Sequence, residues 1–220
     1  MNLSRNWSRI MRISTQSTKM PSLFYKRHLN CWSCTKLIDH PLFCNQCHVI
    51  QPLKINQLNY TDTFNIPNQF NIDLKQLKLE FLKLQQQLHP DNFSTKSKDE
   101  RVISEEQSSY VNKAYETLKD PLSRAQYMLA LKGKNIHEGH MNVKQDFLLE
   151  VMEIQEDIED CERQELDQYI DENNSRIENS VKVLEELFNK DLLDEALEET
   201  MKLKYWYTIA RLLSSRDDEL

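Results

Sequence analysis

The chain has 220 residues, enough for one large domain or two to three small ones, with 39% hydrophobic residues, 29% charged residues and a formal net charge of -7. Gly133 and Gly139 are its two glycines, so neither the three-glycine dinucleotide fingerprint nor the phosphate-binding P-loop can be written, and six prolines add too little turn chemistry for a sandwich or barrel of many short strands. Aliphatic residues recur throughout, yet no apolar run approaches the ~18 residues of a membrane-spanning helix, which predicts an all-α protein without a membrane span.

The first segment is basic. Between Met1 and Asn30 stand Arg5, Arg9, Arg12, Lys19, Lys26 and Arg27, with no acidic residue before Asp39. That leaves 22 of the 28 basic residues to face all 35 acidic ones in the remainder. A serine-rich, acid-free leader with Leu3, Trp7, Ile10 and Met11 at helical spacing has the form of a mitochondrial presequence over residues 1–28, which predicts location in the mitochondrial matrix, a cytosolic pool being left open. It lacks the apolar stretch of a secretory signal; a disordered basic tail is the other reading. The acidic body argues against nucleic acid as a partner, because no basic stripe outside the leader would offset phosphate repulsion.

Residues 29–53 hold Cys31-Trp32-Ser33-Cys34 and Cys44-Asn45-Gln46-Cys47. Two residues between cysteines let both thiolates turn to one point, and two such turns complete the tetrahedral sulfur shell that zinc prefers in structural sites, so Cys31, Cys34, Cys44 and Cys47 are expected to bind one structural zinc ion. So short a segment has no sizeable apolar core, and the metal would supply most of its folding free energy. Two disulfides, a redox motif and a rubredoxin-like iron site are the competing readings; the leader disfavours the first, the missing βαβ setting disfavours the second, and the ligands alone do not separate zinc from iron. His40 and His48 are expected to face solvent, and Cys161, distant in sequence, to lie in a helix core.

A polar connector through Gln57 leads to a helical segment over 58–134. Leu74, Leu77, Phe81, Leu84 and Leu88 step 3, 4, 3 and 4 along one helix face, behind Asp73 as N-cap with Gln76 in a capping-box position. Pro90 ends the helix, because it cannot donate the next backbone hydrogen bond and disfavours a helical His89. A second helix is expected from Glu105 to Lys119, with Val111, Ala114, Tyr115 and Leu118 on one face; Asp120 and Pro121 read as N-cap and first residue of a third, carrying Leu122, Ala125 and Leu129. Two such helices about a proline loop make an antiparallel hairpin.

After a linker with Gly133, Gly139 and two histidines, residues 140–220 are acidic and heptad-like. Phe147, Val151, Ile154, Ile158 and Cys161 fall within roughly 40° of one direction on a helical wheel, whereas Leu148, Leu149 and Met152 come out at about 100°, 200° and 140°. On the last helix Ala196, Leu203, Tyr207 and Ala210 line one face while Met201, Tyr205 and Leu212 lie roughly opposite. A middle helix with Ile170, Ile177, Val181, Leu184 and Phe188 completes a three-helix bundle. The second stripes either pack against the preceding domain or form an exposed patch that grips another protein.

His89-Pro90-Asp91 between two helical stripes, followed by Tyr110 to Pro121 and Pro121-Leu122-Ser123-Arg124-Ala125-Gln126-Tyr127, closely resembles a J-domain. With Phe147 to Ile154 and Leu203-Lys204-Tyr205-Trp206-Tyr207 behind it, and the cysteine pair in front, the chain is similar to the HscB-type co-chaperones of iron-sulfur cluster biogenesis, in particular the zinc-bearing animal mitochondrial members. The resemblance implies a J-domain hairpin plus a C-terminal three-helix bundle preceded by a tetracysteine zinc knuckle. It implies a co-chaperone without covalent chemistry of its own, which captures the cluster scaffold protein and stimulates the ATPase of a mitochondrial DnaK-type heat-shock chaperone. Carried over to this sequence, the chaperone-binding residues are His89, Pro90 and Asp91 with Lys75, Lys78 and Lys83; the family's basic helix face is thinned here by Glu80 and by glutamines at 85–87. The scaffold-binding patch becomes Leu148, Leu149, Met152 and Tyr205. A general J-protein acting on unfolded clients is the rival, and self-association as a homodimer is left open.

Overall fold

Helix-capping chemistry sets most element boundaries in the computed structural model, which describes residues 29–38, 42–52, 59–134 and 143–219. The segment 1–28 read as a presequence, His40 and the Gly139 part of the linker lie outside the described residues. Strands β1 (Leu29–Asn30) and β2 (Leu37–Ile38) pair antiparallel, Leu29 opposite Ile38, and a further bridge joins Phe43 to Ile50. The small cysteine module therefore carries a little sheet, while the remainder is helical.

Helix α1 (Tyr60–Thr63) is a single turn, and α2 (Leu74–Leu88) starts where Asp73 accepts hydrogen bonds from the amides of Lys75 and Gln76. A 3-10 turn, Pro90–Phe93, follows at the expected break. Helix α3 spans Lys98–Lys119, two turns longer at its start than the apolar pattern foretold. The cause is a reciprocal cap: Ser97 Oγ accepts from the Glu100 amide while the Glu100 carboxylate accepts from the Ser97 amide, so a polar first turn is held ahead of Ile103, which packs on the core. Asp120 caps α4 (Pro121–Leu131) through the Ser123 amide, with Pro121 at the first position. Helices α5 (Gln145–Asp160), α6 (Arg163–Asn189) and α7 (Leu193–Glu219) form the bundle.

Three apolar clusters hold these parts. The first joins α2 and α3 through Leu77, Leu84, Leu88, Val111, Ala114 and Leu118, and takes in Leu42 and Ile50 of the cysteine module. Leu74 falls out of the predicted stripe and is exposed. The second lies inside the bundle, where Val151, Ile158, Cys161, Leu166, Trp206, Ile209 and Leu213 are buried. The third spans both halves: Phe70, Ala125 and Leu129 pack on Leu184, Ala196 and Leu203. Helix α7 is thus apolar on two sides because it is sandwiched, one side on α4 and the other on α5. The leftover stripe expected there is corrected accordingly: Met201 is buried, and Tyr205 and Leu212 pack on the bundle core.

Between the halves, Phe70 stacks on Phe188 with ring centroids 5.1 Å apart, and the buried Arg124 guanidinium lies 4.8 Å from the Phe70 centroid. The carboxylate that caps α4 also accepts the Tyr207 hydroxyl on its Oδ1 at 3.0 Å. Lys132 pairs with Asp191 and Lys134 with Asp194 at the rim.

Candidate functional site

The two cysteine turns have the same backbone. Cys31 and Cys44 each accept two amides on sulfur, from Ser33 and Cys34 and from Gln46 and Cys47, at 3.4–3.5 Å. Thr35 and His48, directly after the second cysteine of each turn, both sit in the left-handed region, at φ 60° and 58°. The four sulfurs lie within 4.8 Å of one another, with Cys31 to Cys47 at 3.6 Å and Cys34 to Cys44 at 3.7 Å. A disulfide needs about 2.05 Å, so these thiols are unbridged. A tetrahedral metal with Zn–S bonds of about 2.3 Å places its sulfurs roughly 3.8 Å apart, which the pairs match. Burial pushes the Cys31 thiol up, but hydrogen bonds from the Cys34 and Ser33 amides and from Gln51 outweigh it and hold the group at about 6; Cys44 is likewise lowered, first by the Cys47 amide. At Cys47 the Val49 amide is outweighed by burial and the neighbouring Cys44, Cys31 and Cys34 sulfurs, which push that thiol up to about 12, so the geometry of the four sulfurs carries the metal reading. The donor set therefore fits a metal ion. His48 is exposed, as expected; Cys161 is buried, as expected, but caps the end of α5 in extended backbone and is not a helix residue.

His89, Pro90 and Asp91 project together from the end of α2, all exposed. His89 Nδ1 accepts the Asp91 amide at 3.3 Å and lies 3.5 Å from its carboxylate. Asn92 turns back to donate to the Gln86 and Gln87 carbonyls at 2.8 and 3.3 Å, satisfying two groups that the ending helix leaves open. Ser94 donates to the Asp91 carbonyl. The tripeptide is therefore presented by a hydrogen-bonded turn.

Lys75, Lys78 and Lys83 are exposed on α2, although Lys83 pairs with Glu80 at 2.6 Å. The same outward face carries two residues that the sequence reading passed over. Leu79 and Leu82 are 59% and 52% exposed, and with Lys75 and Gln86 they lie within about 40° of the direction opposite Leu77. The helical wheel held the signal: two leucines 120° or more off the core stripe.

On the bundle, the residues proposed as one patch divide. Leu149 and Met152 are 51% and 55% exposed on α5; Leu148 is half-buried. Tyr205 is half-buried too, with its ring edge-on to Phe147 at 5.7 Å. The α5 wheel thus separates a packing stripe from an exposed one, and Tyr205 packs on the former.

The sequence profile of the DnaJ domain matches residues 60–127, and that of the HSCB C-terminal oligomerisation domain matches residues 143–214. The chain is similar to the co-chaperone protein HscB homolog of Aliivibrio salmonicida, 32% identical over 170 residues that make up 74% of this chain and 99% of the relative. The Vibrio parahaemolyticus homolog is 33% identical over the same shares. Among solved structures, human co-chaperone protein HscB superposes with a TM-score of 0.80 at 28% identity, covering 87% of this chain and all of that one. The Jac1 co-chaperone from Saccharomyces cerevisiae does so at 0.59 and 29%, covering 70% and 91%.

Proposed function

This chain belongs to the HscB family of J-protein co-chaperones of iron-sulfur cluster assembly, and from that premise we propose how its two ends divide the work. The J-domain docks on a DnaK-type heat-shock chaperone and activates its ATPase, with Asp91 offered to a cation of the chaperone and His89 and Pro90 fixing the turn. Lys75, Lys78 and Lys83 supply long-range attraction, and Leu79 and Leu82 the apolar contact at the centre of the same face. The bundle binds the cluster scaffold through Leu149 and Met152, flanked by Leu148 and Tyr205. ATP hydrolysis then tightens the chaperone on the scaffold and favours release of its cluster.

The observation that carries this reading is the simultaneous exposure of two surfaces on one packed body: the His89-Pro90-Asp91 turn, and an apolar pair on α5 that its own bundle leaves uncovered. Cys31, Cys34, Cys44 and Cys47 would hold one zinc ion, whose chemistry there is purely structural. The acid-free leader supports a matrix location.

The test is a titration of purified scaffold into chaperone plus this protein, read as ATPase rate. Scaffold and co-chaperone together are expected to stimulate more than the two separate effects combined. Purely additive rates, with unfolded polypeptides working equally well, would instead mark a general J-protein. Elemental analysis is expected to return one zinc per chain.

A further inference from the structure

Beside the His89-Pro90-Asp91 turn the cysteine module encloses a groove of about 500 Å³. Its lining brings together Asn45 and His48 of the second cysteine turn, Asn92 and Lys96 from the segment after the His89-Pro90-Asp91 turn, and the rings of Phe43 and Phe93. We infer that this groove extends the chaperone-docking surface, so that one chaperone molecule contacts the J-domain turn and the cysteine module together.

The placement of the module is fixed by the J-domain itself. Leu42 and Ile50 are buried in the α2–α3 core. Gln107, a fully buried side chain of α3, donates its Nε2 to the carbonyls of Gln51 and Leu42. Gln51 in turn donates to Cys31 Sγ at 3.3 Å and to the Val49 carbonyl at 2.7 Å. A continuous chain of hydrogen bonds thus runs from Cys31 Sγ to the helix behind the turn, and Leu42 and Ile50, on either side of the second cysteine turn, anchor that turn on the same core. Asn92 belongs to both surfaces: it follows Asp91 directly, holds the end of α2 and lines the groove. A chaperone seated on Asp91 therefore passes along Asn92 into the groove.

The chemistry of the occupant follows from the lining. Glu100 is engaged in the Ser97 cap, and among the described residues Lys96 has no ion-pair partner. An apolar side chain over Phe43 and Phe93, followed by a carboxylate at Lys96, is the segment that fits. This rests on the J-domain reading above.

Two measurements on the full-length, zinc-loaded protein test it. In hydrogen exchange, chaperone binding is expected to protect the amides of residues 45–49 as well as those of 75–93. In ATPase titrations, K96E combined with H48D is expected to raise the half-maximal co-chaperone concentration about tenfold while the saturating rate and zinc content stay at wild-type levels, because Asp91 is intact and both positions are exposed. His89→Gln is the reference. If it abolishes stimulation while the double variant titrates like wild type and residues 45–49 gain no protection, the groove is overturned and the J-domain reading stands. If wild type itself gives no stimulation, both fall together.

Discussion

Asp120 has two tasks, one for each carboxylate oxygen: Oδ2 starts α4, and Oδ1 holds Tyr207 of the bundle. The capping task was legible, since Asp-Pro before an apolar run is a helix start, whereas a partner 87 positions away in sequence leaves no local trace. Gln107 is the same case in stronger form: a polar residue at a core position, buried to serve carbonyls of a module 56 positions upstream. At the bundle, exposure separates two kinds of residue. Replacing Leu149 and Met152 with alanine together is expected to weaken scaffold binding by about 1–3 kcal/mol, with stability changed by no more than about 0.5 kcal/mol, as measured by calorimetry and thermal melting. Tyr205→Ala is expected to cost about 1–3 kcal/mol of stability as well, since its ring packs on Phe147. Equal stability losses in the two variants would place all these side chains in the core.

At the scale of elements, the cysteine turns, the end of α2 and the beginning of α4 follow from local chemistry, because two-residue spacing, proline and aspartate each impose one geometry. The start of α3 did not, because the Ser97–Glu100 cap holds a polar first turn and Ile103 is the lone core contact before the buried Ser104 and Gln107 break the apolar pattern. The faces of α7 did not either: a wheel finds two stripes but cannot say that α4 covers one and α5 the other. Metal removal tests the cysteine module as an element. Stripping the ion with a chelator is expected to release the Trp32 indole from the Ile50 carbonyl, where it donates at 2.6 Å, and to uncover Leu42 and Ile50. The near-ultraviolet signal of Trp32 should fall while far-ultraviolet helicity stays nearly constant, with a loss of ~2 kcal/mol that lowers Tm by roughly 4–8 °C. An unchanged melting temperature would show that the module folds without the ion.

For the whole molecule, the buried Tyr110 and the half-buried Tyr127 and Tyr207 report the packing of the J-domain and of its junction with the bundle. Burial pushes Tyr127 up to about 12, and raises Tyr207 and Tyr110 as well, so in the folded protein these groups stay protonated where unfolded phenols, near 10, ionise. A raised folded pKa means that the stabilising difference is present below pH ~10 and is lost as pH rises toward 12. Denaturant midpoints are accordingly expected to hold steady up to pH ~9.5 and to fall above it, and less steeply in the Tyr207→Phe variant, which has no proton to lose. A wild-type midpoint that stays level to pH 11.5 would contradict the burial of these rings.

The Phe70–Phe188 stack and the shared Asp120 make the junction a bracket, not a tether. A flexible link would spread the captured scaffold over a volume and dilute it about the chaperone, with a concentration falling as the link lengthened. On the division of work proposed above, a bracket would keep the cargo at one distance and one angle from the His89-Pro90-Asp91 turn. Loosening this joint would therefore cost timing before it cost affinity.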